Sequence, residues 1–369
     1  MVLAFVIVPR ERQLLKTQLL TLLVILFLPF QVLAQSTADL QDFNSAYLEY
    51  ANTRNSNPDL AREAARRAYN IGRRIFGEAN ERTAMLAINY AILLTDETES
   101  QSVLDEAVTI YQKIFGFGNE AMIDPLSNLG QMLADFDRTH LASQYYIRSL
   151  QLARTHFGED SSKVGAIYLE LGAAALRAEQ FDTAHSRITD ARKILYSSTD
   201  PAARSNLVRA DLLMGDYFLK TRQYEQAIEP LLLSLESLSR YPNADITLQN
   251  RIALIEAYEN LGRSEESTVH CLFIGSSRAF RGNERLRPLY IVVPDLEDLT
   301  GISDLRDDVR IAFTVDEEGF VRDPVVVSNI DSEILRRRLL NAVRKFRFAP
   351  RFLDGEAVAT HNQQYVFRN

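Results

Sequence analysis

The sequence lacks the residues and motifs that usually carry enzyme chemistry. Its single cysteine, Cys271, cannot form an internal disulfide, and its five histidines are scattered along the chain. Phosphate-binding glycine loops, the nucleophile elbow G-x-S-x-G, the zinc motif H-E-x-x-H and C-x-x-C steps are all absent. His270 next to Cys271 is not expected to form a metal pair, because adjacent helical residues point about 100° apart. We therefore predict a protein that is not an enzyme and that needs no cofactor or metal.

The charge and the hydropathy of the chain indicate which partners to expect and where the protein is located. The formal charge of −8, with 24% charged residues, gives no reason to expect nucleic acid as a partner. The longest apolar run, residues 19–34, follows three basic residues and ends in Val-Leu-Ala before Gln35. This pattern is typical of a secretory signal peptide covering residues 1–34. It predicts an exported protein, and the alternative is an uncleaved N-terminal membrane anchor.

Most of the remaining sequence repeats with a period of about 40 residues. The phrases IFGEAN, IFGFGN and HFGEDS place Phe-Gly steps at 76, 115 and 157, with spacings of 39 and 42 residues. Each phrase can end one helix with glycine and begin the next with Asn or Ser. Apolar residues at helical spacing fill the stretches between the phrases. Residues 35–275 are therefore predicted to form an array of about six helix pairs.

Several residues within these pairs resemble the tetratricopeptide repeat family, most closely its kinesin light chain type. The matching residues are Leu129-Gly130 with Ala142, Tyr146 and Leu150; Leu171-Gly172 with Phe181, Ala184 and Ala191; Met214-Gly215 with Tyr224 and Ala227; and Leu261-Gly262. The resemblance implies a right-handed solenoid whose concave groove binds a peptide or protein.

Two asparagines are candidates for contacts in that groove. Asn89 and Asn128 lie nine residues after Asn80 and Asn119, so the spacing predicts that they project in the same direction. Facing the groove, they would hydrogen-bond the backbone of an extended peptide. Alternatively, they are solvated or cap a local turn.

The C-terminal residues 288–369 have a different pattern, after a linker at residues 276–287. The stretch FTVDEEGFVRDPVVV predicts two strands joined by a turn at Gly319, and Pro324 places the second strand at an edge or bulge. An amphipathic helix capped by Asp331 or Ser332 follows, and then a last strand. The predicted fold class is therefore α+β multidomain, with a helical solenoid followed by a small β-β-α-β domain.

This small domain resembles the TonB C-terminal domain family. The matching residues are Phe313-Thr314-Val315-Asp316 with Gly319, Val321 and Asp323; Ala342-Val343-Arg344; Arg347-Phe348-x-Pro350; Asp354-Gly355; and Tyr365-Val366-Phe367. The Tyr-Pro step with which the family usually begins is rearranged here into Arg287-Pro288-Leu289-Tyr290 and Val293-Pro294. This departure from the family pattern concerns the entry segment and leaves the matching residues of the sheet unchanged.

The resemblance implies that the last strand binds an extended peptide, the TonB box of an outer-membrane receptor, as an added strand. The residues that it assigns to this strand are Ala357, Val358, Ala359, Thr360, His361, Asn362, Gln363, Gln364, Tyr365, Val366 and Phe367. Alternatively, this polar strand is only a solvated edge. The sequence thus predicts a periplasmic adaptor for protein partners. The alternative function is an energy transducer anchored in the inner membrane, which would need a longer, proline-rich spacer than residues 276–287 provide.

Overall fold

The computed structural model describes residues 30–277, 286–294 and 308–367, with side chains from residue 37 onward. Most of the predicted signal peptide and most of the predicted linker lie outside these described residues. The chain divides into two compact units. One ends at Glu78, and the other begins at Ala79 and contains the later helices together with the C-terminal strands.

The described helices form six antiparallel pairs, which confirms the predicted helical array. Their bounds are α1 Phe30–Thr53, α2 Pro58–Phe76, α3 Glu81–Ala91, α4 Glu97–Phe115, α5 Ile123–Asp135, α6 Thr139–Phe157, α7 Ser162–Arg177, α8 Phe181–Ser197, α9 Ala203–Lys220, α10 Tyr224–Ser237, α11 Asp245–Asn260 and α12 Ser264–Ser277. A short 3-10 helix, Glu120–Met122, precedes α5. The repeated Phe-Gly steps end α2, α4 and α6, as the sequence predicted.

Glycine allows the two helices of a pair to approach closely. A Cβ atom on Gly215 would lie 2.4 Å from Cδ2 of Leu231, and one on Gly172 would lie 2.7 Å from Ile188. Gly262 occupies a different position, in the turn between α11 and α12 with φ of 72°. The match of Leu261-Gly262 to the other Leu-Gly steps was therefore wrong, because this glycine supplies a left-handed turn rather than a close helix contact.

The C-terminal module is a three-stranded antiparallel sheet with two smaller strand pairs. Its elements are β1 Pro288–Tyr290, β2 Val309–Val315, β3 Val321–Val326, α13 Glu333–Val343, β4 Arg347–Phe348, β5 Arg351–Leu353, β6 Glu356–Val358 and β7 Thr360–Phe367. The main sheet has the order β3-β2-β7, while β1 pairs with β4 and β5 pairs with β6. The main sheet and α13 confirm the predicted β-β-α-β order.

One face of the main sheet is buried beneath α13. Alternate β2 residues, including Ile311 and Phe313, pack with Leu335 and Leu339 of the helix. On the opposite face, Val325 remains 61% exposed. β3 lies at an edge and its register with β2 shifts, as Pro324 predicted. The core of the module thus lies on one side of a thin sheet.

Gly319 closes the β2–β3 hairpin against the end of β4. Its φ of 87° belongs to the left-handed region, and its carbonyl accepts a hydrogen bond of 2.9 Å from the amide of Phe348. A Cβ atom at this position would lie 2.1 Å from the Phe348 carbonyl oxygen. Both the turn and the close backbone approach therefore require glycine.

Replacing Gly319 by alanine should destabilise the module by more than about 3 kcal/mol, because backbone strain adds to a clash with a carbonyl. Gly355 is the matched control: it has the same φ of 87°, but nothing lies within 4 Å of an added Cβ. Gly355→Ala should cost only about 1–2 kcal/mol. Hydrogen–deuterium exchange of residues 309–367 measures both changes, and equal effects would show that the close approach is unimportant.

Candidate peptide-binding edge

β7 is an edge strand of the described sheet, with β2 as its neighbour on one side. The carbonyl of Arg310 accepts a hydrogen bond from the amide of Val327, so the backbone N–H and C=O groups of Arg310 point toward β3. Since backbone groups alternate in direction along a strand, those of Ile311 point toward β7, where the paired residue is Tyr365. Gln364 and Val366 must then direct their N–H and C=O groups away from the sheet. No described residue hydrogen-bonds these outward groups.

A bulge limits the regular part of this edge. Phe313 pairs with Gln363, whereas Val315 pairs with Thr360, so two β7 residues stand opposite Thr314. These two residues are His361 and Asn362, and the φ of 57° at Asn362 departs from strand geometry. The regular edge therefore extends from Gln363 to Phe367, which is shorter than the sequence predicted.

The residues before β7 belong to another strand pair. Ala357 and Val358 lie in β6 and pair with Phe352 and Arg351 of β5. Ala359 connects β6 to β7. The single strand predicted for residues 357–367 was therefore wrong, because the turn at Asp354-Gly355 folds β6 back onto β5.

The core-facing side chains hold β7 in place. Gln363 is buried, and its Oε1 accepts a hydrogen bond of 2.9 Å from the amide of Leu286. The Tyr365 ring lies 5.0 Å from the ring of Phe346 in an edge-to-face contact. His361 and Gln364 are exposed on the opposite face. The edge is thus fixed by its inner side chains and leaves polar groups toward solvent.

Asn89 and Asn128 do not occupy equivalent positions in their helix pairs. Asn89 is half-buried on α3, whereas Asn128 is exposed on α5. α3 begins directly after Asn80, but α5 begins four residues after Asn119, because the 3-10 helix intervenes. The equal spacing in sequence therefore does not give the same direction in space, and a role for either residue in the groove stays a prediction.

A buried arginine joins the module to the last helix pair. The Arg347 side chain is 1% exposed and forms an ion pair with Glu259 of α11, whose side chain is 9% exposed. Its two terminal nitrogens reach four more acceptors: Ser267 Oγ at 2.7 Å, Thr268 Oγ1 at 2.8 Å, the Glu318 carbonyl at 3.0 Å and the Ser264 carbonyl at 3.4 Å. The guanidinium also lies 3.7 Å from the centre of the Phe320 ring. The Arg347 guanidinium thus contacts α11, α12 and the β2–β3 hairpin at the same time.

Apolar contacts surround this charge and complete the interface. Leu289 and Ala349 pack against Cys271 and Ile274 of α12. Gly275 lies so close to the module that a Cβ atom there would be 2.4 Å from the Pro350 carbonyl oxygen. Cys271 is fully buried, and burial raises the pKa of its thiol to about 12. The sequence had identified Arg347 and Phe348 only as part of a family motif and did not reveal this interface.

His270 is buried separately from its neighbour Cys271. Its ring stacks on Tyr258 with 5.9 Å between centres, and Nδ1 accepts a hydrogen bond of 3.0 Å from Arg251. Burial, and then the positive charge of Arg251, lower the pKa of His270 to about 4. The two residues have different surroundings and do not form a site together.

Comparisons with known proteins support two parts of the chain. The tetratricopeptide repeat family matches residues 121–197, and the C-terminal domain of Gram-negative bacterial TonB protein matches residues 303–368. The chain thus combines a tetratricopeptide repeat region with a TonB C-terminal domain, as the sequence resemblance predicted. No curated protein matches the chain.

Solved structures with similar folds share little sequence with this chain. BtubC (BKLC) from P. vanneervenii has 15% identity and a TM-score of 0.45, over 70% of this chain and 99% of that one. The apo form of RapI has 13% identity and a TM-score of 0.40, over 64% of each chain.

The described residues contain neither a candidate membrane span nor a candidate metal cluster. None of their helices combines the length and apolar character needed to cross a membrane. Within the same residues, no three His, Cys, Asp or Glu side chains are grouped so that they would hold a metal ion.

Removing the Arg347 charge should release the module from α12. Arg347→Met leaves Glu259 buried without its partner, which should cost about 3–5 kcal/mol. Since Cys271 is the only thiol, its rate of labelling by a disulfide reagent at pH 8 measures the release. We expect slow labelling of the native protein and at least about tenfold faster labelling of the variant.

Arg344→Met is the control, because Arg344 is exposed on the same module. The double variant Arg347→Met, Glu259→Gln should lose less stability than the sum of its single changes, since no unpaired charge remains. If Arg347→Met and Arg344→Met label at equal rates, Arg347 does not hold the interface.

His270 should make the protein less stable in acid. Its folded pKa of about 4 lies below its ordinary value of 6.5, so the unfolded chain binds the proton first. The stabilising contribution is complete above pH 6.5 and is lost as the pH falls toward 4, by up to about 3 kcal/mol. Urea unfolding of the native protein and of His270→Gln should diverge over this range. Parallel curves would show that His270 does not contribute.

Proposed function

We propose that this protein is a non-catalytic periplasmic adaptor, in which β7 receives an extended peptide and the helical array receives a second protein partner. The β7 edge, where no described residue hydrogen-bonds the outward backbone groups of Gln364 and Val366, is the observation that carries the proposal. The match to the TonB C-terminal domain supports the TonB box of an outer-membrane receptor as the peptide.

Strand addition suits this edge on physical grounds. Gln364 and Val366 each offer one N–H donor and one C=O acceptor on the outer side. Each backbone hydrogen bond contributes about 0.5–1.5 kcal/mol net, and this contribution depends little on the side chains of the peptide. The regular stretch from Gln363 to Phe367 would therefore select an extended backbone, while neighbouring side chains such as Val366 would provide specificity.

The docked module favours an adaptor over an energy transducer. A transducer must carry its terminal domain across the envelope on a long, extended spacer. Here the ion pair between Arg347 and Glu259 holds the domain against α11 and α12. A peptide on β7 would then be presented next to the repeats. The tetratricopeptide repeat match supports the second half of the proposal, a protein partner on the array.

A proline at the outer edge tests strand addition. Gln364→Pro removes the outward N–H but keeps the donors of Gln363 and Tyr365, which face β2, so the sheet should remain folded. Gln364→Ala is the matched control, because it keeps the backbone N–H. A synthetic TonB-box peptide, titrated against the full exported chain, should bind the alanine variant normally and the proline variant at least about tenfold more weakly.

Circular dichroism and Cys271 labelling would confirm that both variants remain folded and docked. Equal peptide affinity for the two variants would show that the peptide does not add to β7. In cells, a photo-crosslinking residue at Val366 should then capture outer-membrane receptors, and the Gln364→Pro change should prevent this. Receptors captured equally well in its presence would also contradict the proposal.

A further inference from the structure

The outer face of α13, together with the turn that follows it at Arg344 and Lys345, carries a stripe of positive charge. Leu335 and Leu339 are buried against the sheet, whereas Arg337, Arg344 and Lys345 point to solvent. Arg337 and Lys345 make no ion pair or side-chain hydrogen bond with the described residues. Arg344 donates only to Asn341, at 2.9 Å. Ile334, 51% exposed, adds an apolar side chain at the beginning of the same face.

The outer face of α10 carries a stripe of the opposite sign. Glu225, Glu229, Leu232 and Glu236 follow one another at intervals of four, three and four residues, which places them in one line along the helix. All four are exposed. Glu225 has an ion-pair partner, Arg263, at 3.3 Å, whereas neither Glu229 nor Glu236 has one among the described residues. The stripe borders a shallow groove that includes Ile228 and Leu233.

The two stripes match in charge and in spacing. Arg337 and Arg344 are seven residues apart, as are Glu229 and Glu236. Arg344 is the C-cap of α13 and keeps helical φ and ψ, so both spacings correspond to about 10 Å along the helix axis. Each stripe also has an exposed aliphatic side chain, Ile334 or Leu232. No described ion pair connects the stripes within one chain. A second copy of the chain offers each stripe a surface of opposite charge.

We propose that copies of this protein associate head to tail, with the α13 stripe (Ile334, Arg337, Arg344 and Lys345) of one copy on the α10 stripe (Glu225, Glu229, Leu232 and Glu236) of the next. The proposal does not depend on peptide binding at β7.

Such a contact joins two different surfaces, so each copy keeps one stripe free. Association then continues until a ring closes or a short filament forms. Exposed ion pairs are individually weak and are screened by salt. The assembly should therefore be detected at high protein concentration and low ionic strength, and should dissociate in 0.5 M salt, at which the screening length is about 4 Å.

Charge reversal provides the test, with mass measured by sedimentation velocity of the full exported chain. One variant is Arg337→Glu, Arg344→Glu, and the other is Glu229→Arg, Glu236→Arg. Each should weaken self-association by at least about tenfold, because like charges then face each other. The variant that combines all four changes should associate again, since both stripes are reversed together. Lys193→Glu, Arg204→Glu is the control for net charge, because both residues are exposed elsewhere on the array.

Restored association in the combined variant, together with normal association of the control, would establish the contact. A native chain that stays monomeric at low salt would overturn the proposal. Reversal of α13 that lowers the melting temperature without changing the mass would assign its arginines to a contact within one chain. Binding of the native protein to anionic vesicles, lost on reversing α13 while the mass is unchanged, would assign them to a membrane instead.

Discussion

The structure depends on how the buried charge of Arg347 is compensated. A guanidinium group with 1% exposure loses almost all of its hydration, so its position is fixed by the groups that replace water. The anion comes from α11, two hydroxyls and a carbonyl come from α12, and a second carbonyl comes from the β2–β3 turn. Because these groups lie in three separate elements, the module can satisfy Arg347 only when it is docked on the last helix pair. The same constraint fixes where the β7 edge lies.

A similar arginine contact occurs earlier in the repeats. Arg138, just before α6, donates to Ser100 Oγ of α4 at 2.7 Å, as Arg347 does to Ser267 of α12. Both serines lie near the start of the second helix of a pair, a position that is alanine in α6, α8 and α10, at Ala142, Ala184 and Ala227. A small hydroxyl at this position leaves room for an arginine from the following element and accepts its hydrogen bond. The C-terminal module therefore shares with the repeats this arginine–serine contact to the second helix of the preceding pair.

Local patterns in the sequence predicted the elements, because helix caps, turns and amphipathic faces depend on neighbouring residues. Examples are the Phe-Gly steps, the Gly319 turn and the buried leucines of α13. The interface at Arg347 was not predictable in this way, since Arg347 and Glu259 lie 88 residues apart. Ser267, which interrupts a series of alanines, was the one local signal. The division of β6 from β7 was missed because a bulge at Asn362 and a tight turn interrupt one polar stretch.

The main sheet has two described edges, but they are not equally suited to receive a peptide. The amide of Val327, just after β3, points toward β2. Because backbone groups alternate in direction, those of Val326 and Pro324 point away from the sheet. Pro324 has no N–H, and Asp323 beside it has a φ of 48°, so the outer side of β3 offers neither a continuous row of donors nor regular geometry. β7 has its own bulge, but only at the end near Asn362, and the residues from Gln363 onward pair regularly with β2. Proline thus makes the β3 edge unsuited to strand addition, which is why our proposal places the peptide on β7.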